Sequence, residues 1–205
     1  MAGSRRAVFL DRDGVINRMV YHDEFGLVDS PANPDELELL TGVGEAVRLI
    51  NEAGLLAIVV SNQPGIAKGK YTAQLLEAMD EKVKTELAKA GAHLDGVYYC
   101  LHHPEAINEG YRLDCGCRKP KPGLLFEAGQ DFDIDLEHSY VIGDGLTDIQ
   151  AGKAAGCKTI FLGRWKCYTC RFMEDRGAKP DFIASDLLEA VGLIQRLEGE
   201  NANLY

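Results

Sequence analysis

No stretch of this 205-residue chain approaches the roughly 20 consecutive apolar residues that a membrane helix needs. Basic residues are also scarce, 22 against 32 acidic, which leaves a net charge of −10. Gripping a nucleic-acid duplex takes many Lys and Arg contacts to phosphate, so neither a nucleic acid nor a membrane is an expected partner. There is no internal repeat, no low-complexity segment and no insertion large enough for a cap domain. Met1 to Arg6 is basic but leads straight into a strand, so it does not read as a signal peptide. The expectation is a cytoplasmic, monomeric protein. With 46% apolar and 26% charged residues the balance is an ordinary globular one, enough for a single well-buried domain over 1–205.

The stretch Val8-Phe9-Leu10-Asp11-Arg12-Asp13-Gly14 carries the first signal. Three apolar residues read as the end of a buried parallel strand, and two carboxylates follow, two positions apart. Side chains two apart in an extended segment share a face, unless the turn at Gly14 rotates one of them. Acids crowded at the carboxyl end of a strand sit where open α/β sheets bind ligands, and they call for a cation or a shared proton.

Strands are predicted over 7–10, 55–60, 97–99, 140–142, 159–162 and 181–183, and helices over 43–53, 72–89, 122–130, 147–155 and 186–197. The alternation argues a parallel sheet with helices on both faces. Residues 18–40 lack a clean period and read as a long loop or irregular hairpin, 163–180 as loop, and about 198–205 as a polar tail expected to fray. The polar clusters follow the first four strands, so Asp11, Asp13, Ser61, Lys119 and Asp144 are expected to converge on one sheet edge.

A strand-end carboxylate can attack phosphorus once the phosphate charge is neutralised. Mg2+ does this by bridging carboxylates and phosphate oxygens, and its candidate ligands are Asp11, Asp144 and Asp13 or a group beside it. Asp13 would protonate the leaving oxygen and then draw a proton from water. Ser61 and Asn62 offer neutral donors, and Lys119 a fixed positive charge. Of the six cysteines, Cys100-Leu101-His102 and Cys115-Gly116-Cys117 supply the four ligands of a closed zinc site, with His103 a rival to His102. Zinc there would staple the loop over about 100–120. Cys167 and Cys170 have only Cys157 to complete a site and read as an ordinary loop.

LDRDG at 10–14, VVSN at 59–62, Lys119 and GDGLTD at 143–148 together resemble the four motifs of haloacid dehalogenase (HAD) superfamily phosphatases. The resemblance implies an α/β, three-layer Rossmannoid (HAD-like) sandwich with a central parallel sheet and no large cap domain. It also implies an Asp11 nucleophile forming an aspartyl phosphate, an Asp13 acid/base, and Mg2+ on Asp144. YYCLHHP, CGCRKPKPG and SNQPGIAKGKY narrow it. Over about 7–195 the chain is similar to the D-glycero-D-manno-heptose 1,7-bisphosphate 7-phosphatases, which share a subgroup with histidinol phosphatases. The long interval from His102 to Cys115 favours the heptose branch. This implies a phosphoric monoester hydrolase that removes the C7 phosphate on the way to lipopolysaccharide precursors, with Arg12, Asn62, Gln63 and Arg118 on the sugar phosphate. Ser61, Pro64 and Gly145 stand where that branch often has Thr, Ser and a substrate-contacting Lys. The alternatives are a histidinol or other small-metabolite phosphatase and a non-catalytic phosphosugar-binding protein. The presence of both Asp11 and Asp13 counts against the latter.

Overall fold

The strand β1 (Ala7–Leu10) is buried at all four residues, because each of its two faces meets a different helical layer. A computed structural model describes residues 5–24, 26–163 and 173–202. In chain order the further strands are β2 (Val20–His22), β3 (Leu27–Asp29), β4 (Leu56–Asn62), β5 (Gly96–Cys100), β6 (Tyr140–Gly143), β7 (Lys158–Leu162) and β8 (Phe182–Ala184). The helices are α1 (Val43–Glu52), α2 (Ala73–Lys89), α3 (Gly123–Phe132), α4 (Leu146–Ala154) and α5 (Leu187–Ala202). Six strands form one parallel sheet in the order β5-β4-β1-β6-β7-β8.

Val8 and Leu10 pack with α1, α2 and α5, whereas Ala7 and Phe9 pack with α3 and α4. The result is a three-layer sandwich around near-continuous apolar strands. α1 buries Val43, Ala46, Val47 and Ile50, the i, i+3, i+4, i+7 stripe of an amphipathic helix. The Thr72 side chain accepts a hydrogen bond from Leu75 N and caps α2. α4 starts at Leu146, one residue earlier than expected, because Asp148 accepts from Gly145 N and closes the first turn. The chain runs outward from β1 to β4 and β5, then returns to β6 on the other side of β1. That reversal opens a crevice at the carboxyl ends of β4, β1 and β6.

Residues 18–40 hold the antiparallel hairpin β2–β3, tied down where Arg18 N donates to Glu38 O and Leu40 N to Ile16 O. α5 reaches Ala202, beyond the Glu198 at which composition suggested fraying. Cys157 is buried beneath α3 and α4, while Cys167 and Cys170 lie outside the described residues. Among the described residues no helix is long and apolar enough to cross a membrane.

Candidate active site

Asp11 leaves β1, Ser61 and Asn62 end β4, Asp144 follows β6, and Lys119 arrives on the loop before α3. With Asp13 and Asp148 they line a cleft of about 210 Å³. Lys119 is buried, and its ammonium lies 2.9 Å from Asp11 Oδ1, pairs with Asp148 and donates to Val60 O at 2.9 Å. Its backbone is pinned on both sides by one amide, since Lys119 N donates to Asn62 Oδ1 at 3.0 Å and Asn62 Nδ2 donates to Lys119 O at 3.1 Å. Burial works against the Lys119 charge, but Asp11 and Asp148 outweigh it and hold its pKa above the usual lysine value.

Asp11, Asp144 and Asp148 each bring an oxygen to within 4.8 Å of the others. Burial and then the Asp11 charge push the Asp148 carboxyl up to about 6, against the pull of Lys119. Asp144 opens to solvent on its outer side but is hemmed in within. Desolvation, Asp11 and Asp148 push it to about 7. Hard oxygen donors whose mutual repulsion a cation would relieve fit Mg2+ well. The inner wall of this group is Gly14, at φ 84, where a Cβ would stand 2.0 Å from Asp144 Oδ2.

Asp13 lines the same cleft but takes another direction. Its Oδ1 accepts from Asn17 Nδ2 at 2.9 Å and Arg12 Nε at 3.2 Å, and its Oδ2 from Gln63 Nε2 at 2.7 Å. The turn after β1, where Ile16 N and Asn17 N both donate to Arg12 O, separates the two acids. The Asp13 carboxylate therefore lies outside the cluster of Asp11, Asp144 and Asp148, which leaves a group beside it as the alternative expected from this turn. Sequence reasoning missed Asp148 as a site residue. Its signal is the second acid of GDGLTD, four positions after Asp144 and in the first turn of α4.

Arg12 and Gln63 also depart from expectation. Each is only 1% exposed, deeper than expected of a direct contact to a sugar phosphate. Arg12 bonds Asp13 and Gln63 and stacks over Tyr99. Asn62 and Ser61 do border the cleft, whereas Arg118 lines a neighbouring hollow of about 180 Å³ that shares Lys119 with it.

Cys100, His102, Cys115 and Cys117 come together at the end of β5. Cys100 Sγ is 3.5 Å from Cys115 Sγ and 3.3 Å from Cys117 Sγ, and Cys117 Sγ is 3.4 Å from His102 Nδ1. A tetrahedral ion with sulfur ligands at about 2.3 Å needs ligand–ligand edges of roughly 3.7 Å, so the donors fit zinc. Desolvation opposes ionisation of Cys115, but Cys117, Cys100, Arg118 N and His102 outweigh it and bring the thiol down to about 6. His103 turns away, its Nδ1 accepting from Glu105 N at 3.1 Å.

A family model described as HAD-hydrolase-like matches residues 116–190. The D-glycero-beta-D-manno-heptose-1,7-bisphosphate 7-phosphatase of Salmonella typhi is 43% identical over 164 residues, 80% of this chain and 83% of that protein. The chain belongs to the HAD-like phosphatase family. The Haemophilus ducreyi enzyme of the same name is 36% identical to this phosphatase over 91% of this chain and 97% of its own. Its fold is also shared with the crystal structure of D,D-heptose 1,7-bisphosphate phosphatase from B. bronchiseptica complexed with magnesium and phosphate. The TM-score is 0.75 at 28% identity, covering 93% of this chain and 98% of that one. The phosphatase is thus a phosphoric monoester hydrolase built on an α/β core.

Proposed function

We propose that this phosphatase removes the C7 phosphate of D-glycero-β-D-manno-heptose 1,7-bisphosphate, in the supply of lipopolysaccharide precursors, through a phosphate ester of Asp11. The observation that most directly supports the chemistry is one buried lysine joining Asp11 and Asp148 at the sheet's reversal point. The sugar rests on relatives matched over four-fifths or more of the chain. The reading also takes the enzyme to be a cytoplasmic monomer whose partner is a small phosphorylated sugar.

Asp11, Asp144 and Asp148 would hold Mg2+, which when bound neutralises phosphate oxygens and orients them for in-line attack. Arg12 N at 2.8 Å and Lys119 fix the Asp11 carboxylate. Lys119 meets the charge that builds on the transferring phosphoryl group, and Ser61 donates to an equatorial oxygen. Asp13 gives its proton to the leaving oxygen, then takes one from the water that attacks the phosphorylated Asp11. Cys100, His102, Cys115 and Cys117 would hold structural Zn2+. A panel of phosphorylated sugars and metabolites assayed for phosphate release with Mg2+ tests the substrate. Histidinol phosphate outrunning the heptose bisphosphate would reject the sugar but not the chemistry.

Arg118 and Lys121 line the hollow that adjoins the cleft through Lys119, a local positive charge on an acidic protein. Burial, and then the proximity of Lys68 and Arg118, hold the His103 pKa below its usual value, so both basic groups lie near that ring. A second phosphate would meet the planar fork of Arg118 there. Arg118→Ala should lower kcat/KM for the bisphosphate by about tenfold or more, roughly the worth of one charged contact, and for simple monophosphates much less. An equal loss on both would remove Arg118 from substrate choice.

The raised carboxyls make a pH prediction. An acid raised on folding stabilises the metal-free protein below its unfolded value, near 4, and loses that contribution as pH rises through its folded value. Metal-free stability should therefore decline through about 6 and about 7 as Asp148 and Asp144 ionise. Water screens the outer side of Asp144, so Asp148 dominates. Mg2+ affinity should rise over the same window and level off above it, because the ion displaces those protons. Calorimetric Mg2+ titrations across this range check it, and a flat affinity profile would contradict the ligand set.

A further inference from the structure

Gln63 uses its whole side-chain amide inside the protein. Its Oε1 accepts from Arg12 Nη2 at 3.0 Å and from Tyr71 OH at 2.7 Å. Its Nε2 donates to Asp13 Oδ2 at 2.7 Å and to Ser61 Oγ at 3.2 Å. All five residues of this network are buried, with Asp13 the most exposed at 8%. The orientation of the amide is not free. Arg12 can only donate, so Oε1 must face it, and Nε2 must then face the cleft residues. The backbone is anchored as well, Gln63 N donating to Cys100 O at 2.8 Å.

We propose that Gln63 is the positioning residue that sets Asp13 Oδ2 toward the leaving group and turns the Ser61 hydroxyl into the cleft. This rests on the reading of Asp13 as the proton-transfer group. Asp13 has four donors around it, and the longest contact is Arg12 Nη2 to Oδ2 at 3.4 Å. Arg12 Nη2 has a better acceptor in Gln63 Oε1, so that contact is readily surrendered. Oδ1, held by Arg12 Nε and Asn17 Nδ2, has no comparably weak partner. Oδ2 is therefore the oxygen that exchanges a proton with the cleft, and Gln63 Nε2 fixes its position. Because Nε2 donates to Ser61 Oγ, the hydroxyl hydrogen of Ser61 must point elsewhere and is left to donate to phosphate. In the step concerned, the bond from phosphorus to Asp11 forms as the bond to the leaving oxygen breaks. That oxygen keeps the electron pair and takes the Asp13 proton.

The test is the dependence of kcat/KM on the leaving group, from dinitrophenyl phosphate to sugar phosphates, for the wild type, Asp13→Asn, Gln63→Met and Tyr71→Phe in Mg2+. A good leaving group needs no proton, so misplacing Asp13 penalises poor leaving groups selectively. Gln63→Met should lower the sugar-phosphate value by at least about tenfold relative to dinitrophenyl phosphate, within the range that general acids contribute. The Ser61 share of the loss should fall on both substrates alike. Tyr71→Phe should give a smaller change in the same direction, since Arg12 still orients the amide. It carries the test if Gln63→Met does not fold. Parallel losses on all leaving groups, or none, with Asp13→Asn still steepening the dependence, would overturn the role of Gln63 alone. An unchanged dependence in Asp13→Asn would overturn the acid/base reading and this proposal with it.

Discussion

Asp11→Asn should abolish phosphate release while the fold survives. The substitution takes away the proposed nucleophile and one proposed cation ligand but almost no volume, and Asn keeps an oxygen for Arg12 N, which donates to Asp11 Oδ1 at 2.8 Å. The buried Lys119 is not orphaned, because Asp148 remains beside it. Losing the Asp11 charge also relieves Asp148 and Asp144, both held above the usual carboxylate range partly by Asp11. With less repulsion at neutral pH, the metal-free variant should melt at or slightly above the wild-type temperature. Activity and stability thus move in opposite directions, a result that global damage cannot imitate. Turnover within about tenfold of wild type, a loss of only ~1.4 kcal/mol of transition-state stabilisation, would rule out the covalent route.

The sheet is legible in the sequence because its strands are apolar on both faces and bounded by Gly and polar residues, as Tyr140-Val141-Ile142 before Gly143 shows. The convergence of strand ends follows from parallel topology alone. Less legible is where a side chain goes once its strand has ended. Asp11 and Asp13 would share a face had the chain stayed extended. Three hydrogen bonds onto Arg12 O, from Val15, Ile16 and Asn17 N, wind it into a turn that sends one acid toward Asp144 and Asp148 and the other to Gln63. An arginine between two aspartates looks like a cation for substrate. Only the packed fold brings Tyr99 beneath the guanidinium and Asp80 to 3.9 Å from its Nη1, which makes Arg12 part of the wall. Asp148 hides for a related reason, because an acid in the first turn of a helix already has an ordinary explanation as a cap. By contrast, the clustering of Cys100, Cys115 and Cys117 with a histidine is legible in the sequence, and the fold brings His102 rather than His103 to the three thiols.

The largest structural effect is expected from Cys115→Ser. Serine keeps the shape of the knuckle but is a poor zinc ligand near neutral pH, so the tetrahedral set is broken. Zinc content should fall from close to one per chain to nearly none. Structural zinc is worth about 10–16 kcal/mol in small zinc-binding peptides, where the whole fold depends on it. Here the sheet has its own core, so the loss should concentrate in residues 101–118, seen as faster amide exchange there than in β1 or β4. The consequence reaches the cleft through the chain itself. Cys117 is two residues from Lys119, and Arg118 Nη1 ties the knuckle to His102 O at 3.2 Å. On the other side, Gly123 N donates to Gly116 O at 3.1 Å, seating the start of α3 on the same turn. Once the knuckle loosens, the Lys119 backbone is left to the Asn62 amide among the described residues, and the ammonium between Asp11 and Asp148 loses its fixed origin. kcat should therefore drop even in saturating Mg2+. Restoring zinc should rescue the wild type after chelation but not the variant. A Cys115→Ser protein with wild-type kcat and unchanged exchange in 101–118 would show that the loop stands without the metal.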